Sequence, residues 1–320
     1  MNTLIQVEQL YRYYGDHLAV NNVSFTLEKG EILGFLGPNG AGKSSTMQMI
    51  CGNLAPSSGQ IRINGIDILD NPKEAKAELG YLPENPPVYR DLTVDEYLHY
   101  CAGLHRVAKD KTKAALDNAK ERCGLTDVGD RLIGNLSKGY QQRVGIAQAI
   151  LHSPAVIILD EPTVGLDPIQ IREIRQLIRD LGREHGIILS THILPEVQES
   201  CSRVQIIHRG ELVLNDTIQG LEQRMGASSL MIATRQAADQ AKLAAIAGVK
   251  SVEALDHNRI RIFHDKQANP AEQVAALAVA QNWGLYELTP EKRTIEQIFV
   301  EITQQAPPHL GEGAVKEVQA

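Results

Sequence analysis

Short apolar runs alternate with longer amphipathic segments along the first two thirds of the chain. Residues 31–36, 156–159 and 186–192 are nearly continuous apolar runs bounded by turn residues, which is typical of strands buried on both faces of a sheet. A helical pattern follows at about 169–184, and two further short strands are predicted near 203–208 and 211–214. Strands that alternate with helices predict an open α/β sheet whose ligand binds at the carboxyl ends of the strands.

The segments between these strands predict additional elements. Residues 3–10, 23–27 and 60–65 alternate between apolar and polar side chains as strands do, and the segment Tyr11-Arg12-Tyr13-Tyr14-Gly15 is interpreted as bringing three tyrosines to a turn. Thr93 and Glu96 have the spacing of a capping box, and the pattern after them predicts one helix over about 94–122. The composition becomes helical and charged here, so we place an inserted helical subdomain at about 86–155.

The last third of the chain has a different pattern. Residues 220–304 are expected to form a small accessory α+β domain, and residues 305–320 a disordered tail. Its predicted helices lie at 237–247, 271–282 and 293–304, and its strands near 230–233, 249–255, 259–263 and 285–289.

Composition and charge restrict the class of protein. The chain has 320 residues, which suggests about two domains, and a net charge of −7 that gives no electrostatic argument for nucleic acid as a partner. No apolar run approaches the roughly 18 residues that span a bilayer, and the first residues lack the pattern of a secretory signal. The four cysteines are irregularly spaced, which indicates reduced thiols rather than a metal or disulfide framework.

The strongest chemical signal is a phosphate-binding loop. The segment Gly37-Pro38-Asn39-Gly40-Ala41-Gly42-Lys43-Ser44 has every fixed position of the pattern G-x-x-x-x-G-K-[S/T], between a predicted strand and a predicted helix. Its backbone N–H groups and the helix N-terminus suit phosphate oxygens. Lys43 is expected to reach the terminal phosphates, and the Ser44 hydroxyl to ligate Mg²⁺.

Two carboxylates follow the apolar strand at 156–159. Asp160 can hold Mg²⁺, and Glu161 can polarise the attacking water as a general base. Downstream of a phosphate loop, this is the Walker B arrangement of a nucleoside triphosphatase. The sequence thus predicts an α/β P-loop NTPase core (residues 1–219) with a mainly parallel sheet, the inserted helical subdomain and the small C-terminal α+β domain.

Four further segments follow one another in a characteristic order: Leu136-Ser137-Lys138-Gly139-Tyr140, Asp160-Glu161-Pro162-Thr163, Gly165-Leu166-Asp167-Pro168 and Ser190-Thr191-His192. With these segments, the chain resembles the ATP-binding subunit of an ABC transporter over about residues 3–218. Leu82 to Tyr89 and the Ser-Lys-Gly-Tyr segment further resemble the gliding-motility-like branch of single-cassette exporters. The resemblance implies an ATPase with the cofactors ATP and Mg²⁺.

The resemblance also implies roles for particular residues. Glu161 and His192 would be catalytic, and Ser44, Asp160 and Glu84 would bind the metal. The ATP-binding set would be Tyr14, which stacks on adenine, the loop residues Gly37, Pro38, Asn39, Gly40, Ala41, Gly42, Lys43, Ser44 and Ser45, and Ser137, Gly139 and Asp167, which act across a head-to-tail homodimer.

Two positions depart from the family pattern. Glu84 stands where the family usually has Gln, and a carboxylate there can still ligate Mg²⁺. Tyr140 replaces the final Gln of the signature loop, whose phosphate contacts are expected instead from Ser137 and the Gly139 backbone.

The partners implied are ATP, a second copy of the chain and separate transmembrane permease subunits, with no nucleic acid. The expected location is cytoplasmic, peripheral on the inner face of the cell membrane through the permease. Two alternatives are a soluble ABC ATPase associated with nucleic acid or ribosomes, and a regulatory protein in which the C-terminal domain matters most. The absence of a second cassette, a long coiled coil and a basic patch disfavours the nucleic-acid alternative.

Overall fold

A computed structural model describes residues 3–224, 229–255, 258–265 and 268–291. The chain divides into two compact units, the first ending at Ile218 and the second beginning at Gln219. The strands of the first unit are β1 Thr3–Tyr14, β2 His17–Glu28, β3 Ile32–Leu36, β4 Ser58–Ile63, β5 Ile66–Asp67, β6 Leu79–Leu82, β7 Val156–Asp160, β8 Gly186–Thr191, β9 Arg203–His208 and β10 Glu211–Thr217. Its helices are α1 Lys43–Ile50, α2 Pro72–Ala77, α3 Val94–Leu104, α4 Lys109–Cys123, α5 Lys138–Ile150, α6 Pro168–Leu181 and α7 Leu194–Ser200, and α8 Ile218–Arg224 spans the boundary between the units.

The central sheet has six strands in the order β10-β9-β3-β8-β7-β6. All neighbours are parallel except β10, which pairs with β9 in the antiparallel sense. Every residue of β3, β7 and β8 is buried, as expected for strands covered on both faces. The predicted α/β architecture with a mainly parallel core is therefore confirmed, and the carboxyl ends of β3, β7 and β8 lie side by side.

A second sheet has the order β2-β1-β4-β5 and is antiparallel. Of the predicted turn segment Tyr11 to Gly15, the tyrosines are placed wrongly, because β1 continues through Tyr14, which pairs with His17. The chain reverses at Gly15, the last residue of that segment, whose φ of 58° suits a residue without a side chain. Tyrosine is a common strand residue, and the register with β2 decides the turn position more strongly than the local run of aromatics.

Helices α3, α4 and α5 occupy the segment predicted as the helical subdomain. Thr93 and Glu96 form both hydrogen bonds of the capping box at the start of α3. The single helix predicted over 94–122 is wrong, because the chain breaks between Leu104 and Lys109, where Arg106 has a φ of 57°. The apolar faces of these helices share one core with residues of β7 and β8.

The second unit contains β11 Ser229–Thr234, α9 Gln240–Ala244, β12 Val249–Ala254, β13 Arg259–His264, α10 Ala271–Ala280 and β14 Leu285–Glu291. Its sheet has the order β12-β13-β11-β14 and is antiparallel throughout. Trp283 packs in its core with Leu230 and Ile262. The predicted helix at 237–247 is confined to the five residues of α9, and the predictions for 293–304 and 305–320 lie outside the described residues.

No helix in the described part of the chain combines the length and apolar character needed to cross a membrane.

Two histidines of the first unit form a stacked pair. The rings of His105, after α3, and His152, after α5, lie 3.8 Å apart with an interplanar angle of 7°. Nε2 of His152 lies 3.0 Å from the carbonyl oxygen of Leu79. Burial and the neighbouring charge of His105 lower the pKa of His152 to about 4, so the folded chain favours the neutral ring. Burial also lowers the pKa of His105.

We predict that acid destabilises the chain through this pair. Between pH 6.5 and pH 4 the unfolded chain binds a proton at His152 that the folded chain does not, so the free energy of unfolding falls as the pH falls. The glutamine of His152→Gln stays neutral at both pH values. The free energy of unfolding of this variant should therefore fall by about 1–2 kcal/mol less than that of the wild type between pH 7.5 and pH 5.0. Urea unfolding at both pH values measures the difference, with the exposed His99→Gln as the matched control. Equal pH dependence in the wild type and His152→Gln would contradict this account.

Candidate functional site: a nucleotide site at the carboxyl edge of the parallel sheet

The phosphate loop connects the end of β3 to the start of α1. Gly42 is the N-cap residue of α1 and has a φ of 105°. A Cβ atom at this position would lie 2.6 Å from the carbonyl oxygen of Ala19, so both the backbone conformation and the close approach require glycine. The loop therefore turns directly into the helix N-terminus, where free backbone N–H groups and the helix dipole favour an anion.

Lys43 is only 6% exposed and lies at the centre of this site. Its Nζ donates to the carbonyl oxygens of Gly37 at 2.8 Å and Pro38 at 3.3 Å, and lies 4.0 Å from Oε1 of Glu161. Burial lowers the pKa of Lys43, while the carboxylates of Glu161, Asp160 and Glu84 oppose that shift. A buried ammonium group among acids is thus held within reach of the loop that would carry phosphate.

Asp160 ends β7 next to the phosphate loop and is 6% exposed. Burial raises the pKa of Asp160, the neighbouring Ser190 hydroxyl and the charge of Lys43 lower it, and the charges of Glu161 and Glu84 raise it further. Its Oδ1 is buried and has no hydrogen-bond partner in the described part of the chain. A buried carboxylate oxygen without a donor fits a hard cation such as Mg²⁺, which takes oxygen ligands.

Glu161 and His192 meet where β7 and β8 end. Nδ1 of His192 lies 2.8 Å from Oε1 of Glu161, and the hydroxyl of Thr191 lies 3.2 Å from Oε2. Glu161 is 7% exposed, and its φ of 49° lies in the left-handed region, which is strained for this residue type. The arrangement fixes a carboxylate that is able to accept a proton from water.

Tyr14 lies at the edge of this group and is 45% exposed. Its hydroxyl is 3.3 Å from the Ser45 hydroxyl, which follows the phosphate loop. The Arg12 guanidinium lies 4.7 Å from the ring centroid. The long strand β1, missed in part by the sequence analysis, is what carries Tyr14 to α1.

The remaining predicted residues of the first group lie around the loop. Glu84 is exposed after β6, and its charge makes a small contribution that opposes the lowering of the Lys43 pKa and adds to the raising of the Asp160 pKa. Gly37 and Ala41 are buried, Ser45 is half-buried, and the exposed loop residues are Pro38, Asn39, Gly40 and Ser44.

Ser137, Gly139 and Asp167 form a second group at the N-termini of α5 and α6. The Ser137 hydroxyl accepts from the backbone N–H of Tyr140, and the Asp167 carboxylate accepts from those of Ile169 and Gln170. A Cβ on Gly139 would lie 2.6 Å from the Gln170 side chain, so the two helix starts are packed together. In the described ranges, no hydrogen bond or ion pair connects this group to the phosphate loop.

Three buried residues beside Glu161 were not assigned a role by the sequence analysis: Thr163, Thr191 and Glu196. Glu196, on α7, accepts hydrogen bonds from both threonine hydroxyls. The two threonines belong to the segments that the analysis singled out, but no pattern pointed to Glu196, which resembles a surface acid at the start of a helix.

Residues 20–164 match the family model described as "ABC transporter". The chain is 41% identical to the bacitracin transport ATP-binding protein BcrA of Bacillus licheniformis over 226 residues, 70% of this chain and 73% of that protein. It is 32% identical over 306 residues to the linearmycin resistance ATP-binding protein LnrL of Bacillus subtilis (strain 168), 94% of this chain and 98% of that one.

Among solved structures, the ATP-binding subunit of an ABC transporter matches with a TM-score of 0.64 and 31% identity. The match covers 70% of this chain and 93% of that subunit. The phosphate loop, the buried acids at the end of β7 and these similarities all indicate the same family. The chain therefore belongs to the ATP-binding proteins of ABC transporters, and it is an ATPase.

Proposed function

We propose that two copies of this chain hydrolyse Mg-ATP between them and that the cycle drives transport, in the direction of export, through separate transmembrane subunits. The observation that carries the proposal is the division of the predicted site into two groups. The first group lies at the ends of the parallel strands and consists of Lys43, Asp160, Glu161 and His192. The second group lies at the starts of two other helices and consists of Ser137, Gly139 and Asp167.

In this proposal the phosphate loop and Lys43 bind the phosphates, and Tyr14 stacks on the adenine. The backbone N–H groups at the start of α1 hold the anion, and Lys43 exchanges its carbonyl partners for phosphate oxygens. Ser44, Asp160 and Glu84 would hold Mg²⁺, which neutralises charge on the phosphates when bound. The buried Oδ1 of Asp160, with no donor in the described ranges, supports this role.

Glu161 would act as the general base, and His192 would hold the base and the terminal phosphate in place. The 2.8 Å contact between Nδ1 of His192 and Oε1 of Glu161 fixes the carboxylate, and the His192 side chain stays 45% exposed. The buried position of Glu161 limits its contact with bulk water, which strengthens the electrostatic interactions around it.

A second copy would complete the site. The start of α5 carries free N–H groups around Ser137 and Gly139, which suit an anion. In a head-to-tail dimer this group faces the phosphate loop of the partner, and Asp167 lies at the contact. Two such sites close together around ATP and reopen after hydrolysis, which is a rigid-body motion able to move a membrane partner.

The names of the relatives support the transport part of the proposal. One relative is described as a bacitracin transport protein and the other as a linearmycin resistance protein, which fits removal of a compound from the cell. We therefore place this chain on the inner face of the cell membrane, bound to permease subunits, with no nucleic acid as partner. Co-purification with a multi-spanning protein would support this placement.

We predict that Glu161→Gln lowers ATP turnover by about 10²–10⁴-fold, the usual contribution of a general base. The amide keeps the shape but cannot accept the proton of water. ATP should still bind, so ATP-bound dimers should accumulate and be visible by size-exclusion chromatography. Glu121→Gln, an exposed acid on α4, is the control. Unchanged turnover in Glu161→Gln would contradict the mechanism.

A second prediction concerns the metal. Glu84→Gln should raise the Mg²⁺ concentration needed for half-maximal hydrolysis by about fivefold or more, because a unit charge at about 4 Å contributes about 1 kcal/mol even in water. Titration of ATPase activity with Mg²⁺ measures the shift. The exposed Glu74→Gln should leave the titration unchanged. Identical titrations for Glu84→Gln and the wild type would remove Glu84 from the metal site.

A further inference from the structure

A buried acid lies next to the predicted catalytic carboxylate without being part of any assigned site. Glu196, in the first turn of α7, is 1% exposed. In the described ranges no Lys, Arg or His nitrogen is paired with it within 4.0 Å. A buried carboxylate without a cation is costly unless hydrogen bonds replace its lost hydration. Glu196 therefore depends on the donors that face it.

Those donors are two threonine hydroxyls from two different strand ends. Oγ1 of Thr163 donates to Oε1 of Glu196, and Oγ1 of Thr191 donates to Oε2 at 2.9 Å. Thr163 follows Glu161 by two residues after β7, and Thr191 ends β8 immediately before His192. One carboxylate thus connects the segments that carry both predicted catalytic residues.

The Thr191 hydroxyl has one hydrogen and two carboxylates within reach. Its oxygen is 2.9 Å from Oε2 of Glu196 and 3.2 Å from Oε2 of Glu161, and it accepts from the backbone N–H of Ile193 at 3.1 Å. A hydroxyl donates a single hydrogen, so the closer Glu196 takes it. Oε2 of Glu161 is then left as a free acceptor, which is the state that receives a proton from water.

The backbone of Glu161 also needs support. Its φ of 49° is a strained conformation that persists only where the surroundings hold it. The N–H of Glu161 donates to the carbonyl oxygen of Ser190 at 2.8 Å, which fixes one side of the residue. The bond from Thr163 to Glu196 fixes the segment on the other side.

We propose that Glu196 is a positioning residue for ATP hydrolysis: it draws the Thr191 hydrogen away from Glu161 and, through Thr163, fixes the segment that follows Glu161, without touching the substrate. This inference rests on the proposed role of Glu161 as the base. It assigns to α7 a part in catalysis, because the helix provides the acceptor that fixes the two strand ends relative to each other.

The direct test is Glu196→Ala in the full-length chain. Truncation leaves the buried Thr163 hydroxyl without its acceptor and turns the Thr191 hydrogen towards Glu161. We expect kcat to fall about 10–100-fold, because small displacements of reacting groups have effects of that order, with KM for ATP within about twofold of the wild type. Glu199→Ala, on the same helix but exposed and paired with Arg175, is the control and should keep its kcat.

Conservative variants separate positioning from a general loss of structure. Glu196→Gln accepts from Thr163 and donates to Thr191, so it should retain more kcat than Glu196→Ala. Thr191→Val, which has the shape of threonine without the hydroxyl, should lower kcat with little change in KM. These two variants carry the test if Glu196→Ala does not fold, which thermal unfolding would show. Wild-type kcat in both Glu196→Ala and Thr191→Val would overturn the proposal.

A double variant that combines Glu196→Ala with Glu161→Gln shows whether Glu196 acts through Glu161. The single variant Glu161→Gln shows separately whether Glu161 is the base. If Glu196 acts through Glu161, adding Glu196→Ala to Glu161→Gln should change the residual rate by less than about twofold, because residues that act as a unit are not additive. The same fold-loss in both backgrounds would overturn the positioning role. Wild-type turnover in Glu161→Gln itself would overturn the assignment of the base, whatever Glu196 does.

Discussion

The carboxylate of Glu161 is the point at which three separate segments of the first unit meet. Lys43 reaches it from the phosphate loop at 4.0 Å, and His192 and Thr191 reach it from the end of β8 at 2.8 Å and 3.2 Å. This meeting depends on the parallel register of β3, β8 and β7, which ends the three strands at one edge. The site is therefore a consequence of the sheet, and a shift of one strand would separate its charges.

Burial makes these charges depend on each other. Lys43, Asp160 and Glu161 are all less than 10% exposed, and isolated charges there would be costly. Their mutual attraction offsets part of that cost, and Asp160 keeps an oxygen without a donor in the described part of the chain. The site is thus arranged to gain from a cation and from phosphate, whose charges complete the balance. Glu196 belongs to the same buried network, and the hydroxyls of Thr163 and Thr191 stabilise its carboxylate by hydrogen bonds.

Much of this arrangement was predictable from the sequence, because short local patterns determine it. The apolar strands, the phosphate loop and the capping box at Thr93 each depend on short-range chemistry, and the structure has each of them. The full length of β1 and the break before Lys109 were missed, because pairing with β2 and the packing of helices decide them. Glu196 was missed for a similar reason. Its burial follows from the way α7 packs, and no spacing in the sequence encodes that packing.

We propose that each ATP site is shared by two copies of the chain. Mixing equal amounts of a Lys43→Ala chain and a Ser137→Arg chain tests this sharing most directly. Each variant alone has two defective sites, whereas a mixed dimer has one site with both defects and one intact site. If the sites turn over independently, the mixture should recover about a quarter of wild-type hydrolysis, since half of the dimers are mixed and each has one working site. A mixture that is no more active than either variant alone would contradict the shared site.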